Sequence, residues 1–158
     1  MSSSKRRHDA SRGVTRLARY ARAGVRSRQQ VLAHLCRSGV SPRDARRLVE
    51  TCEARGLVDD EAAVQLWADQ WARQGWAWAA IRMKLEARGF TPQAIDRANV
   101  RLRGAAEDAS RARAVVQARR RRGVSERQRL ARTLALRGFD EDLIEQVLED
   151  AHTASAHP

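Results

Sequence analysis

Residues Ile81–Asn99 read IRMKLEARGFTPQAIDRAN, and the same pattern is written twice more, as LAHLCRSGVSPRDARRLV at Leu32–Val49 and LARTLALRGFDEDLIEQVL at Leu130–Leu148. Aligned on Gly39, Gly89 and Gly138, the copies lie 50 and 49 residues apart. Eight positions before each glycine stands Val31, Ile81 or Leu130, and four before it Leu35, Leu85 or Leu134. Val40, Phe90 or Phe139 follows directly, and Ala45, Ile95 or Ile144 stands six positions on. One supersecondary unit is therefore used three times. A unit of this size is near the lower limit for an independent core, so neighbours must pack on one another in an elongated, repeat-like array.

Glycine just past a helix tolerates the left-handed backbone that closes the last turn. In Ser41-Pro42 and Thr91-Pro92 a hydroxyl cap precedes proline at the first helical position, and Asp140 does the capping in the third copy. A second glycine (Gly24, Gly75, Gly123) precedes each first one by 14 or 15 residues, and Ser27-x-x-Gln30 and Ser125-x-x-Gln128 read as capping boxes between the two. Each unit is thus three helices. The expected class is all-α, with about nine helices at 14–23, 27–38, 41–54, 60–74, 77–88, 91–103, 107–121, 125–137 and 140–151. These group into modules at 14–57, 58–103 and 104–151, between a basic arm at 1–13, expected to be disordered, and a tail at 152–158. The third helix of each unit carries an i, i+3, i+4, i+7 apolar stripe, as in Ala45, Leu48, Val49 and Cys52. The RGAAED segment at 103–108, apolar only in alanine, is the expected flexible joint.

The formal net charge is +12, and it is segregated. Residues 1–55 hold 14 Arg/Lys against 4 Asp/Glu, residues 56–108 hold 7 against 8, residues 109–137 hold 10 against 1, and residues 138–158 hold none against 6. A compositional preference for arginine explains why only two lysines occur, but not two basic blocks around a neutral middle. Clustered arginine points to a polyanion, since phosphate contacts release condensed counterions. The polar start gives no secretory signal and no run reaches a membrane span, so a cytoplasmic protein without a membrane partner is expected. Cys36 and Cys52 suit a reducing compartment and read as small core residues.

No chemistry-bearing constellation stands out. The cysteines lack metal-ligand spacing, and His34 lies off the apolar stripe beside Cys36. Asp59-Asp60-Glu61 reads as a helix start rather than a metal cluster, because consecutive helical residues diverge. Neither a phosphate loop nor a catalytic triad is present, so no enzyme, cofactor or metal is expected. Trp67 and Trp71 share a helix face and read as filling between modules. Trp76 beside Gly75 is more open to a partner, and the four tryptophans together, Trp67, Trp71, Trp76 and Trp78, raise the alternative of stacking platforms for single-stranded bases. Arg119–Arg122, with Arg127, Arg129 and Arg132 beyond, is more cationic than helix capping requires.

Four stretches in order carry a family resemblance. They are Arg26-Ser27 with the helix to Leu35 and Gly39; Gly56-Leu57-Val58-Asp59-Asp60-Glu61; Gly75 through Ile81 and Leu85 to Arg88-Gly89; and Leu134-x-x-Arg137-Gly138-Phe139. From about Thr15 to Ala151 the chain resembles the RecX family, bacterial regulators of the RecA recombinase. It departs from the pattern at Gln30, where glutamate is usual, and at Ala63, where an aromatic residue is usual. The resemblance implies a non-enzymatic monomer of tandem three-helix modules. It would lie in the groove of the RecA nucleoprotein filament, with contacts to single- or double-stranded DNA, and inhibit ATPase, recombinase and co-protease activity in DNA repair and the SOS response. The candidate contacts are Arg19, Arg22, Arg26, Arg28, Arg82, Arg119, Arg120, Arg121, Arg122, Arg127, Arg129 and Trp76. The alternative is an autonomous helix-turn-helix-like DNA-binding protein. Against it, the third helices are acidic at Asp140–Asp150 and nearly neutral at Pro92–Val100, which leaves only Arg43–Arg47 to read a major groove.

Overall fold

Local side chains cap the helices that start at residues 28, 42, 60, 92 and 141. The computed structural model describes Leu17, Arg19, Tyr20 and residues 25–156. Within that span run α1 (Arg28–Arg37), α2 (Pro42–Ala54), α3 (Asp60–Arg73), α4 (Trp78–Ala87), α5 (Pro92–Leu102), α6 (Asp108–Arg121), α7 (Arg127–Ala135) and α8 (Glu141–Ala156). Leu17, Arg19 and Tyr20 are helical as well, inside the helix expected at 14–23. The arm at 1–13 lies outside the described residues, and no strand occurs among those described. The Ser41 and Thr91 hydroxyls accept from the Asp44 and Ala94 amides, each before a proline, and Asp140 accepts from Leu143 at 2.8 Å. At Ser27 the full capping box forms with Gln30.

Three hydrophobic clusters form in order along the chain, since each short helix can bury only one stripe. Leu17, Val31, Leu35, Ala45, Val49, Cys52 and Val58 form the first. Val64, Ala68, Trp71, Trp78, Ile81, Leu85, Phe90 and Ile95 dominate the second. Val116, Leu130, Leu134, Phe139, Ile144 and Val147 dominate the third. Ala63 is buried in the middle core with Trp67 packed against it, so a small side chain there is accommodated beside a large one.

The joints between modules repeat as well. The Arg28 amide, first in α1, donates to Asp60 Oδ1 at 2.6 Å, and the Trp78 amide, first in α4, donates to Asp108 at 2.9 Å. Asp60 and Asp108 are themselves the first residues of α3 and α6, one module further on. Beside these bonds, Ser27 Oγ donates to the Arg88 carbonyl at 2.6 Å, and the Ala77 amide donates to the Arg137 carbonyl at 3.0 Å. Val25 and Ala77 pack into the core of the module that follows them.

Several local expectations are corrected. Cys36 is exposed, because the buried face of α1 is Val31 and Leu35 and the next residue turns about 100° away; only Cys52 is core, and burial pushes its thiol up. Ser125 does not cap α7: the cap position is Glu126, which makes no side-chain cap bond and pairs instead with Arg129 at 2.8 Å. Residues 103–108 are a bonded turn rather than a loose joint. Asn99 accepts from the Gly104 and Ala105 amides, Gly104 packs against the Trp78 ring where a Cβ would not fit, and Arg103 ends the helix with a left-handed φ of 50°. The last helix continues through Ala156, past the expected end at 151, since no breaker intervenes.

Two predictions test the joints. Asp60→Ala should cost about 1 kcal/mol in urea unfolding, whereas Asp60→Asn keeps an acceptor for the Arg28 amide and should stay within about 0.5 kcal/mol. Burial raises the Asp60 carboxyl, so folding favours its protonated form. That contribution is full below the ordinary carboxylate range and is lost as pH rises through the raised value, so Asp60→Asn should gain on wild type across this window. Equal losses for Ala and Asn at neutral pH would refute the cap.

Gly39 and Gly138 hold the same left-handed backbone, φ 85° and 81°. A Cβ on Gly39 meets nothing within 4 Å, but one on Gly138 would sit 2.7 Å from the Ala80 Cβ in the preceding module. Gly39→Ala should therefore cost about 1 kcal/mol from backbone strain alone. Gly138→Ala should cost about 1–3 kcal/mol more, and equal losses would show the joint to be slack.

Candidate functional site

Helical geometry divides the run Arg119–Arg122. Residues 111, 115, 118 and 122 follow one another around a single face of α6, and Arg119 lies at its edge. That face forms one wall of a groove of about 430 Å³. The opposite wall is the end of α3, Ala72 to Gly75, and Arg137 closes the groove from just past α7. Arg73, Arg111, Arg119, Arg122 and Arg137 line it, without a single carboxylate in the lining. Arg120 turns the other way and donates to the Ala151 carbonyl of α8 at 2.7 Å, near Arg113, which pairs with Asp150 at 3.2 Å. Arg121 points to solvent.

Charge in the groove is largely uncompensated. Arg111 pairs with Asp108 and also donates to the Gly104 carbonyl. Arg73, Arg119, Arg122 and Arg137 have no carboxylate partner among the described residues. The Arg137 guanidinium donates to the Gln74 carbonyl, and burial, with Arg119 beside it, pushes it below the usual arginine range. The helix C-termini and carbonyls around these five guanidinium groups offset part of their charge, and the concave site stays net cationic, which attracts an anion.

The other candidates are dispersed. Arg28 pairs with Glu53 at 2.9 Å, Arg82 with Glu86 and Asp96 at 3.0 and 3.1 Å, and Arg129 with Glu126. These three are held on the surface by carboxylates of their own. Arg26 lies over the Tyr20 ring at 5.0 Å, its Nε buried and unbonded. Arg19 and Arg127 are exposed, and Arg22 lies outside the described residues. Arg73, Arg111 and Arg137 were not among the expected contacts. The spacing of Arg111, Arg119 and Arg122 was readable, and so was the match between Arg137-Gly138 and Arg88-Gly89; the convergence of Arg73 with them was not.

The tryptophans do fill a joint. Trp67 and Trp71 stack at 5.3 Å, and Trp67 Nε1 donates to the Val25 carbonyl of the first module. Arg88 lies 3.8 Å over Trp67 and 5.0 Å over Trp71, and Lys84 lies 3.9 Å over Trp76. The half-buried Trp76 thus has one face taken by an ammonium group, and Trp78 is core. Among the described residues no cluster of His, Cys, Asp and Glu could hold a metal ion, and no helix is long and apolar enough to cross a membrane.

No family model matches this chain, and no curated protein matches it significantly. Solved structures match its fold. The crystal structure of RecX from Lactobacillus salivarius is similar at a TM-score of 0.75 and 14% identity, over 90% of this chain and 96% of that one. A crystal structure of regulatory protein RecX is similar at a TM-score of 0.69 and 19% identity, over 89% of this chain and 71% of that one. The chain therefore has the RecX fold, as the resemblance in its sequence implied.

If the Arg88 guanidinium holds the indole pair, Arg88→Met should lose about 1 kcal/mol of stability and shift tryptophan emission. Arg121→Met should change neither. Unaltered emission and stability in Arg88→Met would remove the cation from the account of this joint.

Proposed function

We propose that this protein is a non-enzymatic regulator that binds the RecA nucleoprotein filament and restrains RecA ATPase, strand exchange and co-protease activity. The observation that carries it is likeness to RecX crystal structures over 90% and 89% of this chain. The distribution of charge supports it. Arg119, Arg121, Arg122 and Arg127 have no carboxylate partners among the described residues, so they remain available to a polyanion, whereas the middle module is nearly neutral and can meet protein. The autonomous DNA-binding alternative has exposed Arg43, Arg46 and Arg47 on α2 in its favour. It lacks any comparable set on α5 or α8.

The test is RecA ATPase on single-stranded DNA with this protein titrated in. Arg120 is spared in the variant because it ties α6 to α8. Wild type should inhibit, and Arg119→Ala/Arg121→Ala/Arg122→Ala should need about tenfold more protein for the same effect, while Arg82→Ala should match wild type. Contact by about six arginines with single-stranded phosphates gives a log–log salt slope near −4, and the triple variant should lose about 2 of it. Absence of inhibition by wild type, together with tight duplex binding in the absence of RecA, would favour the autonomous reading.

A further inference from the structure

The second and third modules treat the same joint differently. Asp60 matches Asp108 and Gly75 matches Gly123, so Trp67 corresponds to Val115 and Trp71 to Arg119; Arg88 corresponds to Arg137. In the first joint the arginine before the glycine is covered by two indole faces. In the second, the indoles are replaced by a valine and another arginine, and the arginine before the glycine faces an open groove instead.

We propose that this groove between the second and third modules binds a phosphate group, and that the bound phosphate braces the third module on the second. The proposal rests on the groove alone and holds whether or not a RecA filament is the partner. Guanidinium groups reach the cavity from the end of α3, from one face of α6 and from the turn after α7. Each is a planar fork of donors suited to two oxygens of one phosphate, and forks converging from three directions suit a tetrahedral anion better than a planar carboxylate. Only Arg111 is engaged by a carboxylate, Asp108, which lies outside the lining; Arg73, Arg119, Arg122 and Arg137 have no carboxylate partner among the described residues.

The groove's cations are also part of the joint. The Arg137 carbonyl receives the Ala77 amide, its guanidinium holds the Gln74 carbonyl, and Gly138 abuts Ala80. Arg119 belongs to the third module and Arg73 to the second, so an anion between them joins the two bodies and relieves the repulsion between Arg119 and Arg137. Anything that binds only the docked form stabilises it by mass action.

The experiment uses the full chain with sodium tripolyphosphate at fixed ionic strength, followed by thermal unfolding and by hydrogen exchange at the Ala77 amide. Wild type should show a saturable rise in Tm and slower exchange at Ala77. Arg119→Gln/Arg122→Gln should bind at least tenfold more weakly, while Arg121→Gln, from the same run but outside the groove, should bind as wild type does. Arg119→Trp, which copies the first joint, should fold but lose the response; it keeps the test decisive if the double variant folds poorly. Competition by oligo(dT) would identify the phosphate as that of a nucleic-acid backbone, and its failure to compete would identify a free polyphosphate; both support the site. Equal stabilisation by ionic-strength-matched chloride, equal weakening by Arg121→Gln, or an equally tight oligoglutamate would overturn it.

Discussion

The Arg28 and Trp78 amides open their helices, and each takes its acceptor from a carboxylate in the module that follows. An isolated helix leaves its first amides without partners. At α1 the local Ser27 cap serves the Gln30 amide and leaves the first one to Asp60. At α4 the cap position is Ala77, which has no side-chain acceptor at all, so Asp108 does the work from across the joint. The Arg28 amide is exposed and the Trp78 amide half-buried, so loss of the acceptor would cost about 1 kcal/mol at the first and about 1–3 kcal/mol at the second. Each bond thereby ties the start of one module's second helix to the first helix of the next.

The joint is directional, and the ends of the array show it. Glycines in the middle and at the last joint are crowded by a neighbour, Gly89 by Gln29 and Gly138 by Ala80. Gly39 and Gly123, which face outward at the two ends, have nothing near them. All four hold left-handed backbones, so turn geometry alone accounts for Gly39 and Gly123, but at Gly89 and Gly138 the missing side chain also lets two modules touch. At the last module α7 has no side-chain cap, consistent with the absence of a further carboxylate-bearing helix beside it among the described residues.

Helix positions and the repeat were legible because they rest on contacts close in sequence: a hydroxyl before a proline, a glycine after the last turn, an apolar residue every three or four. What was illegible lies between residues far apart. Nothing local tells that Asp60 faces back to Arg28 while Asp59 caps its own helix at Ala62. Nor does composition tell that residues 103–108 are held by Asn99 and packed on Trp78. The arginines show the same limit. Counting found the block at 109–137, but pairing decided which of its members are available, and Arg129 and Arg113 are held by carboxylates that a count cannot place.

A repeat whose joints are geometrically alike can still differ in what covers them. The strut is common to both: a carboxylate on an amide, a carbonyl received, a glycine against the preceding helix. Over it, the first joint has indoles and a cation stacked on them, a largely desolvated cover that needs nothing from solution. The second has guanidinium groups repelling one another around a groove, a cover completed only by an anion. The first joint is therefore fixed by folding, while the stiffness of the second depends on what the protein has bound. In a chain of three modules, that places the anion-dependent joint beside the denser of the two basic blocks.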